Sequence, residues 1–326
     1  MERYIRCAVV VLFCIGFAWR GLAQPVALHG RLKVVGTQLM DEHNQPYALR
    51  GMSLGWSCWW PRFYNAGTVD WLYRDWNCSV IRAAMAIEPR GGYDDNPVAT
   101  RQLVETVVDA AIQSGIYVLI DWHGDHLKVE EAKNFFYAMA ARYAGSPNVI
   151  YEVFNEPTDK DSWPAVKAYA ETIIKVIRAR DPVGLILVGC PSWDQELQLP
   201  AADPIKGYAN VMYTMHFYAG THKQWLRDRT DAAIRAGLPV FISESGGMAC
   251  IGDGALDYKE WQAYVDWINK NNLSWISWAV IDKRESDAVL FPSAGSAGHW
   301  SAQDLTEYGV KIREYLRGYA AVGRGK

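Results

Sequence analysis

The sequence is poor in the features that would announce several common classes of protein. Its six cysteines are scattered over 326 residues with no C-x-x-C pair, so neither a zinc ribbon nor a dense disulfide framework is indicated. A basic excess is also missing: 33 lysines and arginines stand against 36 acids, a formal charge of −3. That balance argues against a nucleic-acid groove or a polybasic membrane surface. No Gly-rich dinucleotide fingerprint follows the first predicted strand, and Ser243 and Ser245 do not sit in a G-x-S-x-G elbow. Long hydrophobic runs are lacking except for Cys7–Trp19, which follows Arg3 and Arg6 and leads to Gly-Leu-Ala at 21–23. A basic start, a short apolar stretch and a small-residue site read as a cleavable secretory signal over residues 1–23. The stretch is short of the roughly 20 apolar residues that a spanning helix needs. Cleavage leaves Cys58, Cys78, Cys190 and Cys250, expected to be buried free thiols. No Ser/Thr/Pro-rich linker or repeat interrupts the remainder. Residues 24–320 are therefore expected to form one domain, with 321–326 a tail.

What the chain does have is tryptophan, 15 in all, more than a core alone calls for, and a regular alternation of apolar segments. Short β-branched runs recur at Ala48–Ser53, Ser79–Ala84, Ile116–Asp121, Val149–Val153, Leu185–Gly189, Val211–His216, Val240–Ser243 and Ser274–Val280. Between them lie amphipathic helical patterns such as 98–114, ended by Gly115, and 128–144, ended by Gly145. Strands alternating with helices imply parallel pairing and right-handed crossovers. Eight such units predict an α/β fold, a (β/α)8 TIM barrel rather than an open sheet. Leu32–Asp41 and Pro46–Leu49 read as a small N-terminal β-hairpin placed to close the barrel floor, and 304–319 as a last helix before a frayed end.

In such barrels the active site lies at the C-terminal ends of the strands, and those ends carry reactive groups. The second holds Arg82, the third runs into Asp121-Trp122-His123, and the fourth into Asn155-Glu156-Pro157. The sixth ends in His216-Phe217-Tyr218, the seventh in Glu244 and the eighth in Trp278. Two carboxylic acids from different strands suit glycoside hydrolysis, where one acid is protonated and the other ionised, and Arg82 could keep one of them charged. A metal centre built on His123, Asp125 and His126 is the rival reading. It lacks partner ligands at metal-like spacing on other strands, so no metal is predicted.

These segments resemble glycoside hydrolase family 5, in particular its bacterial endoglucanase subfamily 2. The matching stretches include LRGMS (49–53), VIRAAM (80–85), GIYVLIDWH (115–123), PNVIYEVFNEP (147–157), MYTMHFYAGTHKQWLRD (212–228), VFISE (240–244) and LSWISWAV (273–280). The resemblance implies a retaining endo-β-1,4-glucanase without a cofactor, with Glu156 as acid/base and Glu244 as nucleophile. Related hemicellulase activities on the same fold, or a non-catalytic glucan-binding role, are the alternatives. It further implies that Asn155 bonds the sugar 2-hydroxyl, that Arg82 and Tyr218 orient the nucleophile, and that His123 and His216 line the central subsite. Trp278 becomes the aromatic floor, Lys283 and Glu285 polar contacts to the next glucosyl unit, and Trp59, Tyr93 and Trp193 outer platforms. The implied partner is a β-glucan chain, with no nucleic acid or protein partner, and the implied state is a secreted monomer. Two departures stand out. Ser245 replaces an aromatic beside the nucleophile, which predicts a more open pocket, and Leu54-Gly55-Trp56 stands where relatives carry a histidine.

Overall fold

Eight parallel strands close on one another, and their side-chain alternation explains where everything else sits. The computed structural model describes residues 24–322, so the predicted signal segment 1–23 lies outside the described residues. A two-stranded antiparallel hairpin comes first, β1 (Lys33–Val35) and β2 (Gln38–Met40). The barrel strands follow: β3 (Arg50–Leu54), β4 (Val80–Ala86), β5 (Tyr117–His123), β6 (Val149–Glu152), β7 (Leu185–Val188), β8 (Val211–Tyr218), β9 (Val240–Gly246) and β10 (Trp275–Val280). They pair in sequence order, and β10 returns to β3 and β9 to complete the ring. Several strands extend past their predicted ends, β5 by two residues to His123 and β9 by three to Gly246. Ladder hydrogen bonds carry the polar residues there as readily as apolar ones.

Successive strand residues point to opposite faces. On β5, Val118, Ile120 and Trp122 pack outward under the helices, while Tyr117 and Leu119 point inward. The helices answer with one apolar face each. In 163–178 that face is Val166, Tyr169, Ala170, Ile173, Ile174 and Ile177, all buried, each large aliphatic contributing about 1.5–3 kcal/mol relative to exposure. The helix Pro97–Ser114 starts on Asn96, whose side chain accepts from Ala99 N–H, and stops at Gly115 with φ 70°, a left-handed cap that glycine adopts without penalty.

The lower interior is apolar. Val80, Tyr117, Leu119, Ile150, Leu185, Leu187, Met212, Phe241 and Ile276 meet there, and Leu32, Leu39 and Leu49 of the hairpin region seal them from below. The hairpin therefore closes the floor, as predicted, with Tyr117 Oη donating to Gly30 O at 2.6 Å. Both its strands lie within Leu32–Asp41, however, and of Pro46–Leu49 only Pro46 pairs, in an isolated bridge to Met40. The last helix departs from expectation at both ends. A Ser301–Asp304 capping box confines 302–304 to a 3-10 turn, and the helix proper runs Glu307–Val322, two residues into the predicted tail. Among the described residues, no helix is long and apolar enough to cross a membrane.

Candidate active site

The alternation that fills the floor with hydrocarbon places polar groups at the mouth. Continuing inward along β5 past Leu119 come Asp121 and His123, and along β8 past Met212 come Thr214, His216 and Tyr218; all five are buried. Arg82 on β4 and Glu152 on β6 follow Val80 and Ile150 in the same way. Glu244 does not obey this parity. Val240 and Ile242 of β9 face outward, so regular alternation would turn Glu244 outward too. Between Thr214↔Phe241 and His216↔Glu244, however, β9 spends one residue more than β8. Such a bulge re-aims side chains, and Ser243 and Glu244 both face the interior.

Arg82, fully buried, organises the centre. Its Nε donates to Glu152 Oε2 at 2.7 Å, Nη1 to Glu244 Oε2 at 2.8 Å and Nη2 to Asn155 Oδ1 at 2.5 Å, with Asp121 Oδ2 at 2.9 Å from Nη2. Tyr218 Oη donates to the other oxygen of Glu244 at 2.7 Å. Glu156, in the loop after β6, faces a different cation. Its Oε1 lies 2.7 Å from His216 Nδ1, and Nε2 of the same ring lies 2.9 Å from Ser243 Oγ and 3.3 Å from Asp194 Oδ2. Burial opposes charge on all these groups. Around His216 the carboxylates of Asp194, Glu152 and Glu156 overcome burial and hold the ring well above its ordinary value. Glu156 is lowered in turn: burial raises it, and the bond to His216 outweighs that. Burial also raises Glu152, yet Arg82 and His216 bring it down to about 2. His123 falls to about 4 through burial and the nearby guanidinium, so it is a neutral ring bonded to Asp121 at 2.7 Å.

Glu156, His216 and Glu244 each place one ligating atom within 4.8 Å of the others. Such a set could share a cation. Here Nδ1 already faces Glu156, and both oxygens of Glu244 are taken by Arg82 and Tyr218, so the arrangement is suited to moving protons between inequivalent acids. These three residues line a cavity of about 230 Å³ with Trp193, Gln195, Tyr218, His222 and Cys250. On the opposite side the Trp278 ring stacks parallel to His123 at 5.1 Å. Trp56 meets the same imidazole edge-on at 4.3 Å, and Trp59 lies 5.0 Å beyond. Trp59 and Trp193 are 55% and 44% exposed, as platforms for a ligand would be.

Against known proteins, residues 40–284 match the cellulase family, glycosyl hydrolase family 5. The chain belongs to this family. It is 38% identical over 323 residues to an endoglucanase of Clostridium saccharobutylicum, covering 97% of this chain and 72% of that one. With Endoglucanase A of Evansella cellulosilytica it shares 42% over 284 residues, covering 85% and 58%. The chain thus spans about three fifths to three quarters of the length of these relatives. Among solved structures, a protein from Cytophaga hutchinsonii superposes with a TM-score of 0.90 at 39% identity, over 92% of this chain and 98% of the other. The catalytic domain of a Thermobifida fusca endoglucanase gives 0.86 at 36%, over 90% and 100%.

As a family 5 glycoside hydrolase, the chain gathers most of the predicted site residues and disperses a few. Glu156, Glu244, Arg82, His123, Asn155, His216, Tyr218 and Trp278 converge at the mouth. Tyr93 does not line the cleft. It is 6% exposed and packs edge-on to Trp122 and Phe135 at 5.1 and 5.7 Å, part of the core beneath the helices. Lys283 bridges Glu285 and Asp287, and with Glu285 it lines a separate cavity of about 710 Å³ beside Phe291 and Tyr308. The pocket is not opened by Ser245. That side chain points away, accepting from Trp275 Nε1 and donating to Ile276 O at 2.8 Å. At Gly55 an added Cβ would meet Ile281 Cγ2 at 2.1 Å and the Trp60 ring at 2.9 Å. No side chain fits there, and Trp56 faces His123 instead. Of the four thiols, Cys78 and Cys190 are buried, but Cys58 is half-buried and Cys250 exposed. His126 turns to Glu88 at the surface, away from His123. Glu152, Ser243 and Asp194 also belong to the site, although none of them is among the residues predicted for it. The first was legible as an inward acid at the end of an apolar strand; the other two had no local signal.

Proposed function

We propose that the protein is a secreted, monomeric, retaining endo-β-1,4-glucanase acting on cellulose or mixed-linkage β-glucan. The observation that carries the mechanism is the inequivalence of two close carboxylates. Oxygens of Glu156 and Glu244 lie within 4.8 Å, near the roughly 5–5.5 Å carboxyl spacing of retaining enzymes and short of the roughly 6.5–9.5 Å of inverting ones. Arg82 and Tyr218 hold Glu244 in one orientation as nucleophile. It attacks the anomeric carbon while Glu156 passes a proton to the departing glycosidic oxygen. Water then gives its proton to Glu156 and attacks the same carbon, releasing Glu244 and restoring the acid. His216 favours the ionised form of Glu156, so the proton required rests on Nδ1, one transfer from Oε1. Trp278, Trp59 and Trp193 offer faces to the apolar sides of glucosyl rings. The endoglucanase names of the relatives support the substrate class, and residues 1–23 support export.

Proton NMR of freshly cleaved cello-oligosaccharide tests the mechanism. A first product of β configuration is expected, and an α product would overturn it. Reducing-sugar release from carboxymethylcellulose, barley β-glucan, mannan and xylan should be highest on the first two; preference for mannan or xylan would reassign the substrate. Glu244→Gln should abolish turnover and leave glucan binding intact, whereas a mutant with wild-type rates removes the nucleophile assignment. Exported protein should begin at Gln24 and elute as a monomer.

A further inference from the structure

Behind His216 lies a carboxylate that the double-displacement scheme does not use. Asp194 is fully buried. Its Oδ1 accepts from Cys190 N–H at 2.6 Å, and its Oδ2 meets Thr214 Oγ1 and, at 3.3 Å, His216 Nε2. Burial pushes its carboxyl up to about 8, but the N–H and O–H donors on its two oxygens and the imidazole 3.3 Å away favour the charged form. Its backbone is held as firmly. Ser192, Trp193 and Asp194 all have positive φ, between 54° and 60°, a run of left-handed conformation rare outside glycine. Ser192 and Trp193 N–H groups bond Thr158 O and Pro157 O, in the loop that carries Glu156. The turn is thus fastened to the Glu156 loop through its backbone and to the Glu156 side chain through His216.

We propose that Asp194 is a positioning residue for the acid step: with Nε2 of His216 bonded to Ser243 Oγ, the carboxylate 3.3 Å away holds the ring as an imidazolium, so that Nδ1 and Glu156 share the proton destined for the leaving group. The idea rests on the reading of Glu156 as acid/base. The groups facing the His216 ring are Glu156, Asp194, Glu152 and Ser243, with Arg82 beyond Glu152. Asp194→Asn keeps the shape but puts an uncharged amide beside Nε2, so the imidazolium loses the negative charge that faces it. Removing the negative charge also makes the His216–Glu156 pair surrender its proton at lower pH.

The test compares aryl cellobiosides whose leaving groups need acid assistance to different degrees. Asp194→Asn should lower kcat/KM for phenyl cellobioside roughly tenfold or more, as for loss of much of a general-acid contribution. Hydrolysis of 2,4-dinitrophenyl cellobioside, which needs no proton, should stay close to wild type. The alkaline limb of the phenyl cellobioside profile should move to lower pH. Equal losses on both substrates, or no loss, would overturn the role. Glu156→Ala is the control: if it too lacks leaving-group dependence, the acid/base reading has failed; if it shows it and Asp194→Asn does not, only the present inference has. Should Asp194→Asn not fold, histidine-selective 15N NMR of the wild-type protein decides. A doubly protonated His216 ring near neutral pH supports the proposal, and a neutral ring removes it.

Discussion

Ser245 joins Trp275 Nε1 to the carbonyl of Ile276 in a place no water reaches. Ser245→Ala leaves a buried donor and a buried acceptor unmatched, at about 1–3 kcal/mol. A fall in Tm of several degrees is expected in a thermal melt, with KM for glucan unchanged. A changed KM at constant Tm would mean that position 245 faces substrate after all. Tyr93 makes the complementary case. Its ring packs on Trp122 and Phe135, so Tyr93→Ala should cost about 3–5 kcal/mol, as for large aromatic truncations, while Tyr93→Phe should leave both stability and KM near wild type. An aromatic in a loop looks the same in sequence whether it stacks on a sugar or on a phenylalanine. That is why Trp59 and Trp193 emerged exposed from the same reading that misplaced Tyr93.

At the scale of elements, the alternation of strands and helices was legible because each strand repeats one rule: apolar residues on both faces low in the barrel, polar ones inward at the top. Arg82, His123 and His216 follow from that rule directly. Glu244 lies on the right strand by pattern, yet its direction depends on an extra residue in β9 that only the pairing with β8 reveals. Asp194 comes from an irregular turn whose conformation no periodicity announces. The hairpin of β1 and β2 belongs to the opposite end of the barrel, where residues hold the fold and touch no ligand. Leu39, 4% exposed, sits in that floor, so Leu39→Ala should cost about 2–5 kcal/mol. Denaturant unfolding should record the loss, while kcat and KM on β-glucan at a temperature well below the transition stay unchanged. A kinetic defect there would mean that floor packing reaches the mouth.

Taken whole, the molecule separates an apolar lower interior from a mouth in which Arg82 and His216 face Asp121, Glu152, Glu156, Asp194 and Glu244. That concentration makes stability depend on pH from both sides. Glu152 is held near 2 in the folded chain against an ordinary 4.5. Its contribution is present above 4.5 and drains away as pH falls towards 2. His216 works in the opposite sense. Its native value is raised above the ordinary 6.5, so its contribution is complete below 6.5 and is lost as pH climbs through the raised value. Asp121 and Asp194, both pushed up by burial, the second to about 8, take stability away as pH rises above 3.8. His123, lowered to about 4 by burial, adds stability from there up to 6.5 and opposes them. Tm measured from pH 2 to pH 10 should therefore peak between about 4.5 and 6.5. Glu152→Gln should lower that peak, since Arg82 loses a buried partner, and should flatten the acid side where the carboxylate no longer takes up a proton. An equally steep acid limb in Glu152→Gln would place the acid sensitivity in some other group, and a flat wild-type profile would mean that the charges at the mouth do not govern stability.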